Sequence, residues 1–209
     1  MKTATLSKRN KTGLIIALIA MVLLLDQSLK FWIKTNLMLG ESIYIFDWFQ
    51  LHFVENNGMA FGMEIVGKLF LSIFRIIAIG FIIYFLHRLI KLGYRLGFII
   101  CVGLILAGAI GNLIDSAFYG LIFNGSEGQV ATFLHHPNGE PGYAPFLYGK
   151  VVDMFYFPII KNSIGNTLFF SPVFNVADAA VTTGVFIILL FYRKDLNDSL
   201  ETKKESDEA

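Results

Sequence analysis

The chain has 209 residues, 55% of them hydrophobic, 15% aromatic and 16% charged, with a mean hydropathy of +0.62. This excludes an ordinary soluble domain, and the balance of 17 basic against 16 acidic side chains leaves no basic excess for nucleic acid. The single cysteine, Cys101, lies in an apolar run, which excludes an internal disulfide framework and a cysteine-based metal site.

Crossing a bilayer core takes roughly 20 apolar helical residues, and four stretches meet that length. The first begins at Gly13, is apolar to Leu25 and ends near Ile33, with Asp26, Gln27 and Lys30 in its second half. No small-x-small cleavage pattern follows Leu25, so it reads as a retained span and not a removed signal. The connection 36–66 carries aromatic and β-branched residues from Ile43 to Val54, which predicts short strands. The second span is predicted over Gly67–Leu86 and the third over Leu96–Ile114. The connection 117–172 opens with Gly- and Pro-rich sequence of loop type, and the fourth span is predicted over Val173–Tyr192. Residues 193–209 are highly charged and predict a disordered tail. The fold class is therefore an all-α membrane protein with four transmembrane helices and small β-containing and irregular connections. It forms a single domain over 1–192, with a long insertion at about 117–149.

Orientation follows from lysine and arginine near the span ends. Lys8, Arg9 and Lys11 precede the first span, Arg88, Lys91 and Arg95 lie between the second and third, and Arg193 and Lys194 follow the fourth. Both termini are predicted on the cytoplasmic side and both long connections on the other, where Trp32, Trp48, Phe49 and Phe157 suit the interface with membrane lipids.

Polar groups in spanning segments are costly unless partnered. Asp26 and Lys30 are four apart and face each other on a helix, as an ion pair or as part of a site. Asn112 and Asp115 are three apart at the end of the third span, where Gly108 and Gly111 allow close helix packing. Asn175 and Asp178 repeat that spacing at the start of the fourth, with Asn175 placed as an N-cap and Asp178 a turn further in. Asp153 stands in an apolar, aromatic stretch, 150–158. The predicted orientation puts Asp26, Asp115, Asp153 and Asp178 near one membrane face. Two close carboxyl groups share a proton, so that one activates water while the other polarises a carbonyl, which is the chemistry of aspartic proteolysis. Spacing alone favours Asp115 with Asp178. Serine-elbow and zinc-protease patterns are absent, and the adjacent His135 and His136 read as solvated loop residues. A small ion transporter or a non-enzymatic assembly factor would also place acids in spans, but no internal repeat accompanies them here.

DQSLK at 26–30, NNGMAF at 56–61, GNLID at 111–115, VVDM at 151–154 and FNVAD at 174–178, in that order, resemble the bacterial lipoprotein signal peptidases, or signal peptidase II. The resemblance covers the chain between its charged ends. It implies an intramembrane aspartyl endopeptidase of the bacterial cytoplasmic (inner) membrane that needs no cofactor or metal. The implied substrate is a diacylglyceryl-modified prolipoprotein, whose signal peptide is cut off just before the lipid-bearing cysteine. It further implies Asp153 and Asp178 as the catalytic pair, moving the spacing-based choice from Asp115 to Asp153. Asp26, Lys30, Asn56, Asn112, Asp115 and Asn175 become supporting or substrate-binding residues, and globomycin-type inhibitors are expected to bind. Two departures stand out. Ser116 occupies the position after GNLID where the family commonly has arginine, so a charge there is missing or supplied elsewhere. The segment between GNLID and VVDM is also much longer than the family's usual short link.

Overall fold

A computed structural model of the chain describes residues 7–57, 66–134, 142–161, 167–169 and 172–207. The helices are α1 (Lys8–Asn36), α2 (Val66–Leu92), α3 (Leu96–Ile114), the short α4 (Gly120–Ile122), α5 (Val176–Phe191) and α6 (Arg193–Asp207). The strands are β1 (Ser42–Phe46), β2 (Phe49–Asn56), β3 (Val151–Tyr156), β4 (Ile160–Lys161) and β5 (Thr167–Phe169). Among the described residues, three helical stretches are long and apolar enough to cross a membrane: Lys8–Asn36, Gly67–Leu92 and Leu96–Ile122. The predicted fourth stretch is helical over only the 16 residues of α5, which an 88° bend separates from α6. Its start is delayed because Phe174 exchanges backbone hydrogen bonds with Phe155 in an antiparallel bridge.

The described parts fall into two compact units. The first comprises Met1–Leu24, Ile77–Ile110 and Ala177–Ala209. Its core is built from Ile15, Leu86, Phe98, Ile99, Val102 and Ile188. Here α3 and α5 touch through glycine: a Cβ on Gly108 would meet the Ala177 carbonyl oxygen at 2.2 Å, and one on Gly184 the Cys101 carbonyl oxygen at 2.7 Å. Close approach of this kind is how helices gain contact where lipid removes the hydrophobic drive to associate. The tail predicted to be disordered begins as α6, because Leu196 packs on this core and Arg88 Nη1 donates to the Ser199 carbonyl at 2.9 Å. Composition alone missed that anchorage.

The second unit comprises Leu25–Ile76 and Gly111–Val176. Strands β1, β2 and β3 form an antiparallel sheet in that order, with the predicted 43–54 strands as its hairpin and β3 pairing Asp153 opposite Val54. Ile33, Phe53, Tyr119, Phe123, Val152 and Met154 pack beneath it. The helix predicted to end at Ile114 continues through a π-helical turn, Asp115–Tyr119, and α4. A π turn widens the helix and alters its usual hydrogen bonding. The carbonyls of Ser116, Ala117 and Gly120 accept the N–H groups of Gly149, Leu147 and Ala144 at 2.8, 3.4 and 3.0 Å. The described end of the insertion thus runs back along the helix that starts it. Gly149 is required there, since a Cβ would stand 2.2 Å from the Asp115 carbonyl oxygen.

Candidate active site

Lys30 sits at the centre of a buried polar network within the second unit. Its ammonium lies 2.9 Å from Asp26 Oδ2 and 2.8 Å from Asp115 Oδ2, and donates to Asn112 Oδ1 at 2.9 Å. Three donors meet three acceptors, so the cation is fully satisfied although it is 0% exposed. One positive charge faces two carboxyl groups, and neutral donors supply the rest. Gln27 Nε2 donates to Asp115 Oδ1 at 2.9 Å and to Asp26 Oδ2 at 3.1 Å, and the Val152 N–H donates to Asp115 Oδ2 at 3.2 Å. Gln27 is held in turn by the Tyr119 hydroxyl, which donates to its Oε1 at 3.2 Å. The four-residue spacing of Asp26 and Lys30 and the widened turn at Asp115 bring these groups together.

The network continues to Asp153. Asn112 Oδ1 also accepts from Asn175 Nδ2 at 3.1 Å, and the same amide donates to Asp153 Oδ1 at 2.7 Å. From the other side Asn56 Nδ2 donates to Asp153 Oδ2 at 3.2 Å. Each oxygen of a carboxyl group only 2% exposed thus has its own amide donor, which fixes the plane of the group. Seven of the eight residues named from sequence meet in this one network. The eighth, Asp178, lies half-buried in the first turn of α5, in the first unit, three residues after Asn175. His135, His136 and residues 58–61 of the NNGMAF motif lie outside the described residues.

Sequence reading missed a second buried cluster. Lys34 is enclosed by the rings of Tyr143, Phe123 and Phe53, with its ammonium 4.9, 5.4 and 5.9 Å from their centroids. It donates to Glu55 Oε1, and to Ser126 Oγ at 2.8 Å; Lys150 approaches Glu55 Oε2 at 3.3 Å. The available signal was the stripe Asp26, Lys30, Lys34 at four-residue steps on one helix face. The Glu55 partner was hidden because its position depends on strand pairing.

Burial pushes the Glu55 carboxyl up, but Lys34, Lys150 and the Ser126 hydroxyl outweigh it and hold the group below its ordinary value of 4.5. A depressed folded value stabilises the protein above the unfolded value, and that contribution is lost as pH falls through the folded one. The melting midpoint of the wild type is therefore expected to drop below about pH 5 more steeply than that of Glu55→Gln, by fluorescence-monitored melting across pH 3–7.

A family model described as signal peptidase (SPase) II matches residues 18–193. A lipoprotein signal peptidase of Porphyromonas gingivalis is 46% identical over 209 aligned positions, which cover 95% of this chain and 91% of that protein. One from Amoebophilus asiaticus is 35% identical, covering 89% and 79%. The chain belongs to the signal peptidase II family. Two solved structures of bacterial membrane enzymes, at 2.3 and 1.9 Å resolution, superpose with TM-scores of 0.62 and 0.63 at 26% and 27% identity, covering 89% and 88% of this chain and 91% and 94% of theirs. Against the pattern expected of signal peptidase II, Ser116 is not left without a cation: Arg75 of α2 donates from Nη1 to its Oγ at 2.9 Å, and Ser116 Oγ donates to the Asn112 carbonyl at 3.0 Å. The guanidinium comes from another helix.

Proposed function

We propose that this signal peptidase II chain is an aspartic endopeptidase that cleaves diacylglyceryl-modified prolipoproteins just before the lipidated cysteine, with Asp153 and Asp178 as its catalytic acids. The observation that carries the reading is the Asp153 carboxyl group, buried and held at each oxygen by a separate amide, Asn175 and Asn56. A carboxyl group restrained in this way is prepared to orient a water without reorganising during the reaction. Asp178 enters through the family resemblance and its FNVAD motif. One acid removes a proton from water as the water attacks the scissile carbonyl, while the other, protonated, donates to the carbonyl oxygen. Collapse of the tetrahedral intermediate returns a proton to the leaving amine. The two acids titrate as a pair. Asp26, Lys30, Asn112 and Asp115 support the site by holding Asn175 and β3, and Asn56 and Asn175 are the groups positioned to meet substrate backbone.

The chain is read as a four-span protein of the bacterial inner membrane, with α5 as the short fourth span, both termini cytoplasmic and the sheet on the opposite face. The apolar helices and the basic residues near the ends of the spans support this. The exposed rings of Phe46 and Trp48, stacked with centroids 5.4 Å apart, suit contact with lipid headgroups and with the substrate's diacylglyceryl moiety. The test is cleavage by the purified wild type of one prolipoprotein prepared with and without its diacylglyceryl group. The lipidated form is expected to be cut before its cysteine and slowed by a globomycin-type cyclic peptide. Equal cleavage of both forms, or a cut elsewhere, overturns the substrate assignment.

A further inference from the structure

Among the second unit's lysines whose side chains are described, one stands apart. Lys30 has Asp26 and Asp115, Lys34 has Glu55, and Lys150 has Glu55 and Glu127. Lys68 is only 5% exposed, and its Nζ has no hydrogen-bond partner among the described residues. A buried ammonium without a partner is among the costliest arrangements a protein can hold. The acids within electrostatic reach of it, Glu55 and Asp115, are already engaged by other lysines, and the same neighbourhood adds the cations Arg75 and Lys150.

Lys68 belongs to the first turn of α2, a 27-residue helix. Peptide N–H groups unused within the helix and the positive end of its dipole both favour an anion there. The Cα–Cβ bond of a helical residue tilts towards the helix N-terminus, and Lys68 stands in the first turn. Ser72 and Arg75 continue the same face four and seven residues on. Both are anchored, Ser72 Oγ donating to the Leu147 carbonyl at 2.9 Å and Arg75 Nη1 to Ser116 Oγ at 2.9 Å, so the face is held in place.

We propose that the N-terminal end of α2 is a binding site for a phosphate-class anion, held by the Lys68 ammonium and the first peptide N–H groups of the helix, with Arg75 adding charge from the same face. A phosphate group offers several acceptor oxygens and a full negative charge, which satisfies an ammonium and helix N–H groups together. A phospholipid headgroup and inorganic phosphate share this chemistry.

The test uses the full-length protein in neutral maltoside micelles at matched ionic strength in chloride. Its melting midpoint is followed on titration with inorganic phosphate in one arm and short-chain phosphatidylglycerol in the other. A saturable rise of roughly 4 °C is expected in at least one arm. The arm that responds identifies the source. The rise is expected to vanish in Lys68→Met and in Lys68→Gln, the second variant guarding against a folding defect in the first, and to persist in Glu64→Gln. No saturable rise in either arm, or an equal rise without Lys68, overturns the site. A rise that appears only in Glu64→Gln assigns Lys68 to the chain's own carboxylate four residues earlier and overturns it as well. The readout is melting, so the outcome is independent of whether the protein cleaves prolipoproteins.

Discussion

Asp153→Asn is expected to lower cleavage of a diacylglyceryl prolipoprotein by at least about 10³-fold while leaving substrate affinity and melting midpoint close to wild type. The substitution keeps the shape of the side chain and removes its capacity to take or give a proton. Asn175 and Asn56 each donate to one oxygen of the native group. An amide at 153 accepts from one of them and must turn its own NH₂ towards the other. One lost hydrogen bond costs about 1 kcal/mol, much less than the loss of acid–base chemistry. The split between kcat and KM identifies the role, because a merely structural aspartate would lose folding and binding together. Single-turnover cleavage with a separate binding measurement on the purified variant separates the two cases.

The largest loss of stability is expected at Lys30. Replacing it by Met, of similar length, leaves Asp26 and Asp115 buried and facing one another, with Gln27 and the Val152 N–H as remaining donors. Removing one partner of a buried ion pair costs about 3–5 kcal/mol, because the other charge stays desolvated without compensation. Asp115→Asn in the Lys30→Met background is expected to recover part of this, since it removes one of the two stranded acids. Detergent-unfolding titrations of the single and double variants measure the coupling directly. Additive losses would show that the three groups do not act as a unit.

The parts of the fold that were legible in the sequence are those governed by local periodicity. Apolar run length marked α1, α2 and α3, and the mixed aromatic and β-branched run at 43–54 marked the β1–β2 hairpin. The four-residue spacing of Asp26 and Lys30 predicted their contact, which the structure shows at 2.9 Å. What escaped depended on partners distant along the chain. Residues 151–156 read only as part of an apolar, aromatic stretch, and not as a strand, because β3 exists by pairing with β2, nearly 100 residues earlier in the chain. The π turn at Asp115–Tyr119 has no periodic signature, and its carbonyls are met only by the far end of the insertion, at Ala144, Leu147 and Gly149. Glu55 gave no sign of its role, because Lys34 and Lys150 reach it from α1 and from the start of the β3 segment. The site was legible as a set of residues and not as a network: the motifs supplied Asn56, Asn112, Asp153 and Asn175, and only the folded chain joins them by amide hydrogen bonds to the buried Lys30 triad.

Asp153 is proposed to work with Asp178, whereas sequence spacing alone favours Asp115. The most direct test compares cleavage of a diacylglyceryl prolipoprotein by Asp178→Asn and Asp115→Asn, each purified and matched to wild type for folding, beside Asp153→Asn. Asp178→Asn is expected to be as inactive as Asp153→Asn, and Asp115→Asn to keep a measurable rate, since Asp115 contacts Lys30 and the β3 backbone. Full loss at Asp115 with activity retained at Asp153 or Asp178 would contradict the pairing.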